Sequence, residues 1–218
     1  MKLSLLLATI GRPTLLRTLR SLEQQAWQPG DEVMILTDGN HEEVAKLLLE
    51  ENFHQSLPIR HLTITDGPHK DWGHTPRNRT MHLAQGDFLC HFDDDDVALP
   101  GMIASIHQVL GAPLVHMFRM IDYKSQRQVW TKKGLLQRRH VSTQNVVHPN
   151  DPKKFGRWGS FYGGDAQFIM QTAKFYQGRV CFHDLITCVY KPPNELSYED
   201  VIAWFTARPG AVPPSLPS

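Results

Sequence analysis

The chain has 218 residues, 41% of them hydrophobic and 21% charged, and 23 basic against 22 acidic side chains give a formal net charge of +1. This length and composition suit one globular domain with a substantial core, and the balanced charge provides no overall field that would attract nucleic acid. Three cysteines without disulfide or zinc spacing, and no signal peptide or membrane-spanning run, predict a cytoplasmic protein whose membrane contact is at most peripheral.

Apolar runs alternate with helical patterns in residues 1–110. Helical spacing of apolar residues predicts amphipathic helices, and continuous apolar runs predict strands buried on both faces. This alternation indicates βαβ units and a mostly parallel, doubly wound α/β sheet with helices on both faces, whose ligands bind at the carboxyl ends of the strands. The predicted strands are residues 2–9, 32–37, 59–65 and 88–92, and the predicted helices are 14–25, 41–53, 75–85 and 100–110.

The second half, residues 111–207, is less regular. A β-hairpin is predicted from strands at 114–121 and 128–131, and residues 132–163 show no strong periodicity. We expect a single domain over residues 1–207, followed by a disordered tail at 208–218 because that segment is rich in proline and small residues. The remaining predicted elements are a helix at 165–176, a strand at 180–190 and a helix at 197–206.

Four consecutive aspartates, residues 93–96, follow the fourth predicted strand in the segment FLCHFDDDDVALP. Repulsion between like charges disfavours this arrangement unless a cation or solvent relieves it. Magnesium and manganese prefer oxygen ligands and are typically held by one or two carboxylates plus substrate phosphates. The position directly after a buried strand favours a divalent-metal site over the alternative, a solvated acidic turn.

This segment resembles the metal-binding strand of family 2 glycosyltransferases of the GT-A fold, in the nucleotide-diphospho-sugar transferase superfamily. Their strand ends in Asp-x-Asp-Asp-x-x-x-Pro, which matches Asp93, Asp94, Asp95, Asp96 and Pro100 position for position. The resemblance implies that Asp95 directly binds Mn²⁺ or Mg²⁺, while Asp93 and Asp94 lie near the donor ribose and the metal's water shell. Asp96 would be structural and would cap the following helix.

Three further stretches resemble the family in the same order. Ala8 and Thr9 end the first strand, where the family has a small residue and a threonine that contact the nucleoside. Asp38 ends the second strand and would accept hydrogen bonds from a uracil-like base, although an aspartate before Gly39 also suits a turn. Arg77, in HTPRNRTMHLAQGDFL, matches the arginine that approaches the base and phosphates; its alternative role is an ordinary surface arginine.

The resemblance also implies an acceptor-binding half that supplies a carboxylate base. Asp165 follows two glycines at the start of a helical pattern and is the candidate that takes the acceptor hydroxyl's proton. A plain helix cap is its alternative role. Gly164 would let the backbone approach a bound sugar, and Trp158 and Tyr162 would stack on sugar faces.

His183 is a further metal-site candidate, because a late histidine completes the metal site or touches the diphosphate in several GT-A enzymes. Most lone histidines, however, are not ligands. A basic cluster within residues 132–140 is either a solvated loop or a segment that closes over the donor diphosphate or meets an anionic acceptor.

The implied activity is a metal-dependent, inverting transfer of a sugar from a nucleotide-diphospho-sugar, UDP-linked by default, to a glycan, lipid-linked or small-molecule acceptor. A sugar nucleotidyltransferase is a second possibility, disfavoured because the loop ATIGRPT after the first strand has one glycine. A third is a non-catalytic module that binds a nucleotide-sugar or glycan. That reading gains support if Asp165 points away from the donor pocket and no other acid replaces it.

Overall fold

The computed structural model describes residues 1–129 and 133–208. Its elements in chain order are β1 (Leu3–Thr9), α1 (Thr14–Glu23), β2 (Glu32–Asp38), α2 (His41–Glu50), α3 (Phe53–Ser56), β3 (Ile59–Ile64), α4 (His74–Thr80), β4 (Phe88–Asp93), β5 (Val97–Ala98), α5 (Met102–Val109), β6 (Val115–Asp122), β7 (Gln128–Val129), β8 (Val146–Pro149), α6 (Gly164–Phe175), β9 (Val180–Tyr190) and α7 (Tyr198–Thr206). Short 3₁₀ helices lie at Met81–Leu83, Thr143–Asn145 and Pro152–Lys154.

One sheet runs through both halves of the chain. Its strand order is β3-β2-β1-β4-β8-β6-β9-β5, with β7 paired to β6. The first four strands are parallel, β8 is antiparallel to both β4 and β6, and β6 is parallel to β9. The predicted α/β class with a mostly parallel sheet is therefore confirmed.

Helices cover both faces of this sheet, as predicted. Successive side chains of a strand point to opposite faces, so Leu5 and Leu7 of β1 pack in a cluster with α1, α2 and α5, while Leu6 packs in another with Trp158 and α6. All seven residues of β1 are buried. Burial of this apolar surface on two sides fixes the strand in the centre of the domain.

Most differences from the predicted elements lie in the middle of the chain. The irregular region contains β8, whose four buried residues join β4 to β6. The predicted helix 75–85 is split into α4 and a 3₁₀ turn. The helix expected from Pro100 begins at Met102, because Gly101 before it takes a left-handed φ of 81°. Residues 130–131 of the predicted hairpin and 209–218 of the predicted tail lie outside the described residues.

Two further sequence expectations concern cysteines and membrane spans. All three cysteines are free, and two of them, Cys90 and Cys188, are buried. Within residues 1–129 and 133–208, no helix has the length and apolar character needed to cross a bilayer.

Candidate active site

A cavity of about 400 Å³ opens where β1, β2 and β4 end. The strands are parallel, so their carboxyl ends meet at one edge of the sheet, where ligands of such folds bind. The structure brings six of the predicted donor and metal residues to this donor cavity, together with cations and an aromatic ring that the sequence reasoning did not select. The six are Ala8, Thr9, Asp38, Asp93, Asp94 and Asp95, and the additional residues include Arg12, Lys70, Trp72 and Lys191.

Three of the four aspartates converge. One carboxylate oxygen from each of Asp93, Asp95 and Asp96 lies within 4.8 Å of the others. Asp94 turns instead towards β1, where it accepts a hydrogen bond from the Thr9 hydroxyl at 2.7 Å. The convergence follows from the end of β4, whose fixed backbone prevents the side chains from dispersing into solvent.

Three of the four aspartates are largely desolvated, since Asp94 and Asp96 are buried and the Asp95 side chain is 16% exposed. Burial raises the pKa of Asp95, and repulsion from Asp93 adds to the rise. Burial likewise raises the pKa of Asp94 to about 6, although the Thr9 hydrogen bond opposes it. Arg12 offsets part of this negative charge through an ion pair with Asp95 at 2.9 Å. An all-oxygen set whose negative charge is only partly offset by arginines fits a hard divalent cation such as Mg²⁺ or Mn²⁺.

Asp96 is structural, but it does not cap the following helix. It is fully buried, and its Oδ1 accepts the Lys191 backbone N–H at 2.9 Å, while its Oδ2 accepts from the Gln144 amide. The N-cap of α5 is Gly101. Both oxygens of Asp96 therefore hold protein groups, and those of Asp93 accept from Arg77 and Gln144. Asp95, whose side-chain partner is the exposed Arg12, is the carboxylate best placed to bind a metal, with Asp93 beside it in the cavity lining.

Arg77 is not a surface arginine, and it does not line the donor cavity. It is buried under Trp158, with its guanidinium carbon 5.1 Å from the ring centroid. Its Nη2 donates to the carbonyl of Phe92 at 2.6 Å and to Oδ1 of Asp93 at 2.5 Å. The expected contact of Arg77 with the base and phosphates does not fit this position, since its contacts orient Asp93.

Asp38 lines the donor cavity, and two contacts with His69 hold its carboxylate in place. Its Oδ2 accepts the His69 backbone N–H at 2.8 Å, and its Oδ1 lies 2.7 Å from His69 Nδ1. Asp38 is therefore held at the end of β2 as a fixed acceptor at the rim.

A second cavity of about 180 Å³ adjoins the first, and Trp72, Asp93 and Lys191 border both. Asp165 lines this second cavity from the first turn of α6, where Gly163, with a left-handed φ of 94°, is the N-cap. Burial raises the pKa of Asp165 above its usual range, and the nearby Asp93 carboxylate adds to the rise. A carboxylate with a raised pKa beside the donor cavity is suited to accept a proton.

The three predicted acceptor residues lie in different environments, and only Tyr162 lines a cavity. Tyr162 lines the second cavity, is 64% exposed, and meets Trp72 edge-on with ring centroids 6.0 Å apart. Gly164 is needed for packing, because a Cβ there would lie 2.1 Å from the Gly159 carbonyl oxygen. Trp158 is 1% exposed and stacks on Phe168 at 4.2 Å in the core, so it cannot stack on a sugar from this position.

His183 lies away from the aspartates. It stacks on Phe118 at 4.8 Å, and its Nε2 is 3.0 Å from Nδ1 of His116. It precedes Lys191 by eight residues along β9, which corresponds to roughly 26 Å in an extended strand. The strand end that reaches the acidic rim therefore carries Lys191 and not His183, and the expected metal role of His183 does not fit.

The core position of Trp158 predicts a stability effect. We expect Trp158→Ala to lower the free energy of unfolding by about 3–5 kcal/mol, because it leaves a large cavity beside Phe168. Trp158→Phe is the matched control and should cost much less, since the indole N–H has no hydrogen-bond partner among the described residues. Urea unfolding followed by circular dichroism measures both. An alanine variant as stable as the wild type would contradict the core assignment.

A mostly parallel α/β sheet with a carboxylate-lined cavity at its strand ends, joined to a second cavity lined by the half-buried Asp165, has the organisation of a GT-A glycosyltransferase. The family model described as "Glycosyl transferase family 2" matches residues 5–172. The chain belongs to this family.

Solved structures share the fold. TarS from S. aureus, residues 1–349, superposes with a TM-score of 0.67 at 16% identity, over 88% of this chain and 60% of that one. The same fragment in complex with UDP-GlcNAc gives a TM-score of 0.66 at 16% identity, over 91% and 61%. The mannosyltransferase PcManGT from Pyrobaculum calidifontis, in complex with GDP-Man and Mn²⁺, gives 0.61 at 16% identity, over 93% and 59%.

This chain spans about three fifths of the length of these structures. No curated protein matches the sequence significantly.

Proposed function

We propose that the protein is a metal-dependent, inverting glycosyltransferase that moves a sugar from a nucleotide-diphospho-sugar to an acceptor hydroxyl. The observation that supports it most is the join between the two cavities. The donor cavity carries the aspartates, the second cavity carries Asp165, and Asp93 borders both. A sugar held at this join would have the acids of the donor cavity on one side and a base on the other.

The donor would bind along the ends of β1, β2 and β4. Ala8, Thr9 and Asp38 line the part of the cavity suited to the nucleoside, with Asp38 as a hydrogen-bond acceptor. Asp95, assisted by Asp93, would hold Mn²⁺ or Mg²⁺. When bound, such a cation offsets the negative charge of a donor diphosphate. Fold relatives bound to UDP-GlcNAc or to GDP-Man with Mn²⁺ support this donor class, and a UDP-sugar is the default.

The transfer would use Asp165 as general base. As the acceptor oxygen forms a bond to the anomeric carbon, Asp165 takes the hydroxyl proton, and the bond from that carbon to the diphosphate oxygen breaks with its electron pair on the diphosphate. Attack from the face opposite the leaving group inverts the configuration. Tyr162, exposed in the second cavity, is the aromatic residue placed to contact a glycan, lipid-linked or small-molecule acceptor.

The position of Asp165 supports turnover over binding alone. A module that only binds donor would not need a half-buried carboxylate with a raised pKa beside the donor cavity. Asp165 lines the second cavity instead of pointing away from the site.

Ligand-induced stabilisation tests the proposal. UDP-, GDP-, dTDP- and CMP-sugars are screened by thermal shift with Mn²⁺ and with EDTA, and product release is assayed in parallel. At a donor concentration of 100 Kd, binding stabilises by about 2.7 kcal/mol, which raises Tm by several degrees. We expect this rise for at least one donor with Mn²⁺, together with release of nucleoside diphosphate. Release of pyrophosphate would indicate a nucleotidyltransferase, and a Tm unchanged by every donor would contradict the proposal.

A further inference from the structure

Lys191 follows the last residue of β9 and has an unusual backbone. Its φ is 46°, in the left-handed region that residues other than glycine rarely adopt. Its backbone N–H donates to Oδ1 of Asp96 at 2.9 Å, and Asp96 is fully buried at the end of the acidic run. Strained backbone of this kind persists where the surrounding structure holds it, and it is frequent at functional sites.

Arg17 fixes the segment after Lys191 to the acidic loop. This buried guanidinium donates through Nη1 to the carbonyls of Pro193 at 2.5 Å and Leu196 at 3.0 Å. Through Nη2 it also donates to the carbonyl of Asp95 at 3.2 Å. The turn that carries Lys191 and the loop that carries Asp95 are therefore connected by one interior side chain, and their relative position is set by the protein and not by a ligand.

The side chain of Lys191 lies between the two cavities. It is exposed and lines both the donor cavity and the second cavity, with Nζ 5.0 Å from the centroid of the Tyr190 ring. Among the described residues, no carboxylate approaches Nζ within 4.0 Å. Arg12, by contrast, already forms an ion pair with Asp95. Lys191 thus forms no close ion pair at the join, although its charge interacts with the nearby Asp95 and Asp96 carboxylates and its side chain contacts Tyr190.

The chemistry at this join requires positive charge. When the bond between the sugar and the diphosphate breaks, its electron pair passes to an oxygen of the β-phosphate, and the leaving nucleoside diphosphate gains one negative charge. A cation placed there binds the transition state and product more strongly than the intact donor, which is the condition for accelerating the step.

We propose that Lys191 is a catalytic residue that contacts the β-phosphate of the donor and stabilises the leaving nucleoside diphosphate. This inference rests on the proposed function, since it requires the donor to bind in the acidic cavity. It adds a protein-borne charge to whatever a divalent cation contributes.

The test compares Lys191→Met, Lys191→Arg and a matched surface control, Lys174→Ala, which removes an exposed lysine from the last turn of α6. Transfer rates give kcat and KM. Calorimetry gives the affinity for nucleoside diphosphate with Mn²⁺ and with EDTA. We expect Lys191→Met to lower kcat by about 10²-fold and nucleoside-diphosphate affinity by about tenfold in both buffers. KM for the donor and Tm should change little, and Lys191→Arg should keep most of the activity.

The outcomes separate the two proposals. If the wild type neither binds nucleoside diphosphate nor turns over, the proposed function fails. If the wild type is active and Lys191→Met matches Lys174→Ala in kcat and in product affinity, the role of Lys191 is refuted while the proposed function stands. A loss of kcat that accompanies a lowered Tm and is equal in Lys191→Arg would show a structural role and would also refute it.

Discussion

Replacing Asp165 with asparagine is expected to lower kcat by about 10²–10⁴-fold, the contribution typical of a general base. The amide keeps the size and shape of the carboxylate but cannot take the acceptor's proton. Asp165 lines the second cavity and not the donor cavity, so donor binding should remain. Initial transfer rates and calorimetry with nucleoside diphosphate and Mn²⁺ measure the two effects separately.

The pH dependence provides a second readout for Asp165. Burial raises its pKa, and the base must be ionised to act. In the wild type, kcat/KM should therefore fall as pH is lowered through this raised pKa, at a higher pH than an ordinary aspartate would give. In Asp165→Asn the part of the acid limb that Asp165 causes should disappear, because the remaining activity no longer depends on this ionisation. A limb from the donor-cavity carboxylates Asp94 and Asp95, whose pKa values are also raised, should remain.

Asp184 supplies the matched control for this experiment. It is 66% exposed and pairs with Arg119 at 2.7 Å, so Asp184→Asn removes one carboxylate without touching either cavity. Wild-type rates in Asp165→Asn would exclude Asp165 as the base. Loss of nucleoside-diphosphate binding together with activity would instead indicate that Asp165 shapes the site.

The sequence is most informative where local patterns determine position. Continuous apolar runs predict β1, β2 and β4, and the end of each strand then places Ala8, Asp38 and Asp95 at one edge of a parallel sheet. These inferences need only the strand boundaries and the rule that parallel strands end on the same side. The structure brings all three residues to the donor cavity.

Long-range packing accounts for what the sequence did not predict. The four residues of β8 carry too short a pattern to identify, and their burial comes from pairing with β4 and β6, which are distant in the chain. Trp158 and Arg77 are residue types that occur both at sites and in cores. Only tertiary packing shows that they are interior, because Trp158 packs between α6 and the sheet and Arg77 lies beneath Trp158.

Lys191 and Trp72 could not have been selected from their neighbours. Lys191 reaches the rim because it follows β9, an eleven-residue strand whose register against β6 shifts twice along its length. Trp72 has a left-handed φ of 60° before Gly73, in a loop where the sequence pattern shows only a short polar stretch. Both positions follow from tertiary geometry, which composition and spacing do not encode.

Asp95→Asn is expected to abolish metal-dependent donor binding and to lower kcat/KM by at least about 10²-fold, because it removes the negative charge best placed to bind Mn²⁺ or Mg²⁺. Asp95 is suited to that role since its side chain is 16% exposed in the donor cavity. The fully buried Asp96, with its partners Lys191 and Gln144, stays intact in the variant. Calorimetry with Mn²⁺ and nucleoside diphosphate, and transfer rates, measure the loss.

The same substitution should not destabilise the metal-free protein. The prediction is specific because the variant should lose stabilisation by metal and donor while its Tm without metal stays the same or rises. Burial and the Asp93 carboxylate raise the folded-state pKa of Asp95, so the unfolded chain ionises more readily and ionisation at neutral pH costs folding stability. An uncharged amide removes that cost. In EDTA at neutral pH, we therefore expect Asp95→Asn to melt at or above the wild-type Tm, whereas with Mn²⁺ and donor only the wild type gains. A variant that still gains stability from Mn²⁺ and donor as the wild type does would show that the cation binds elsewhere.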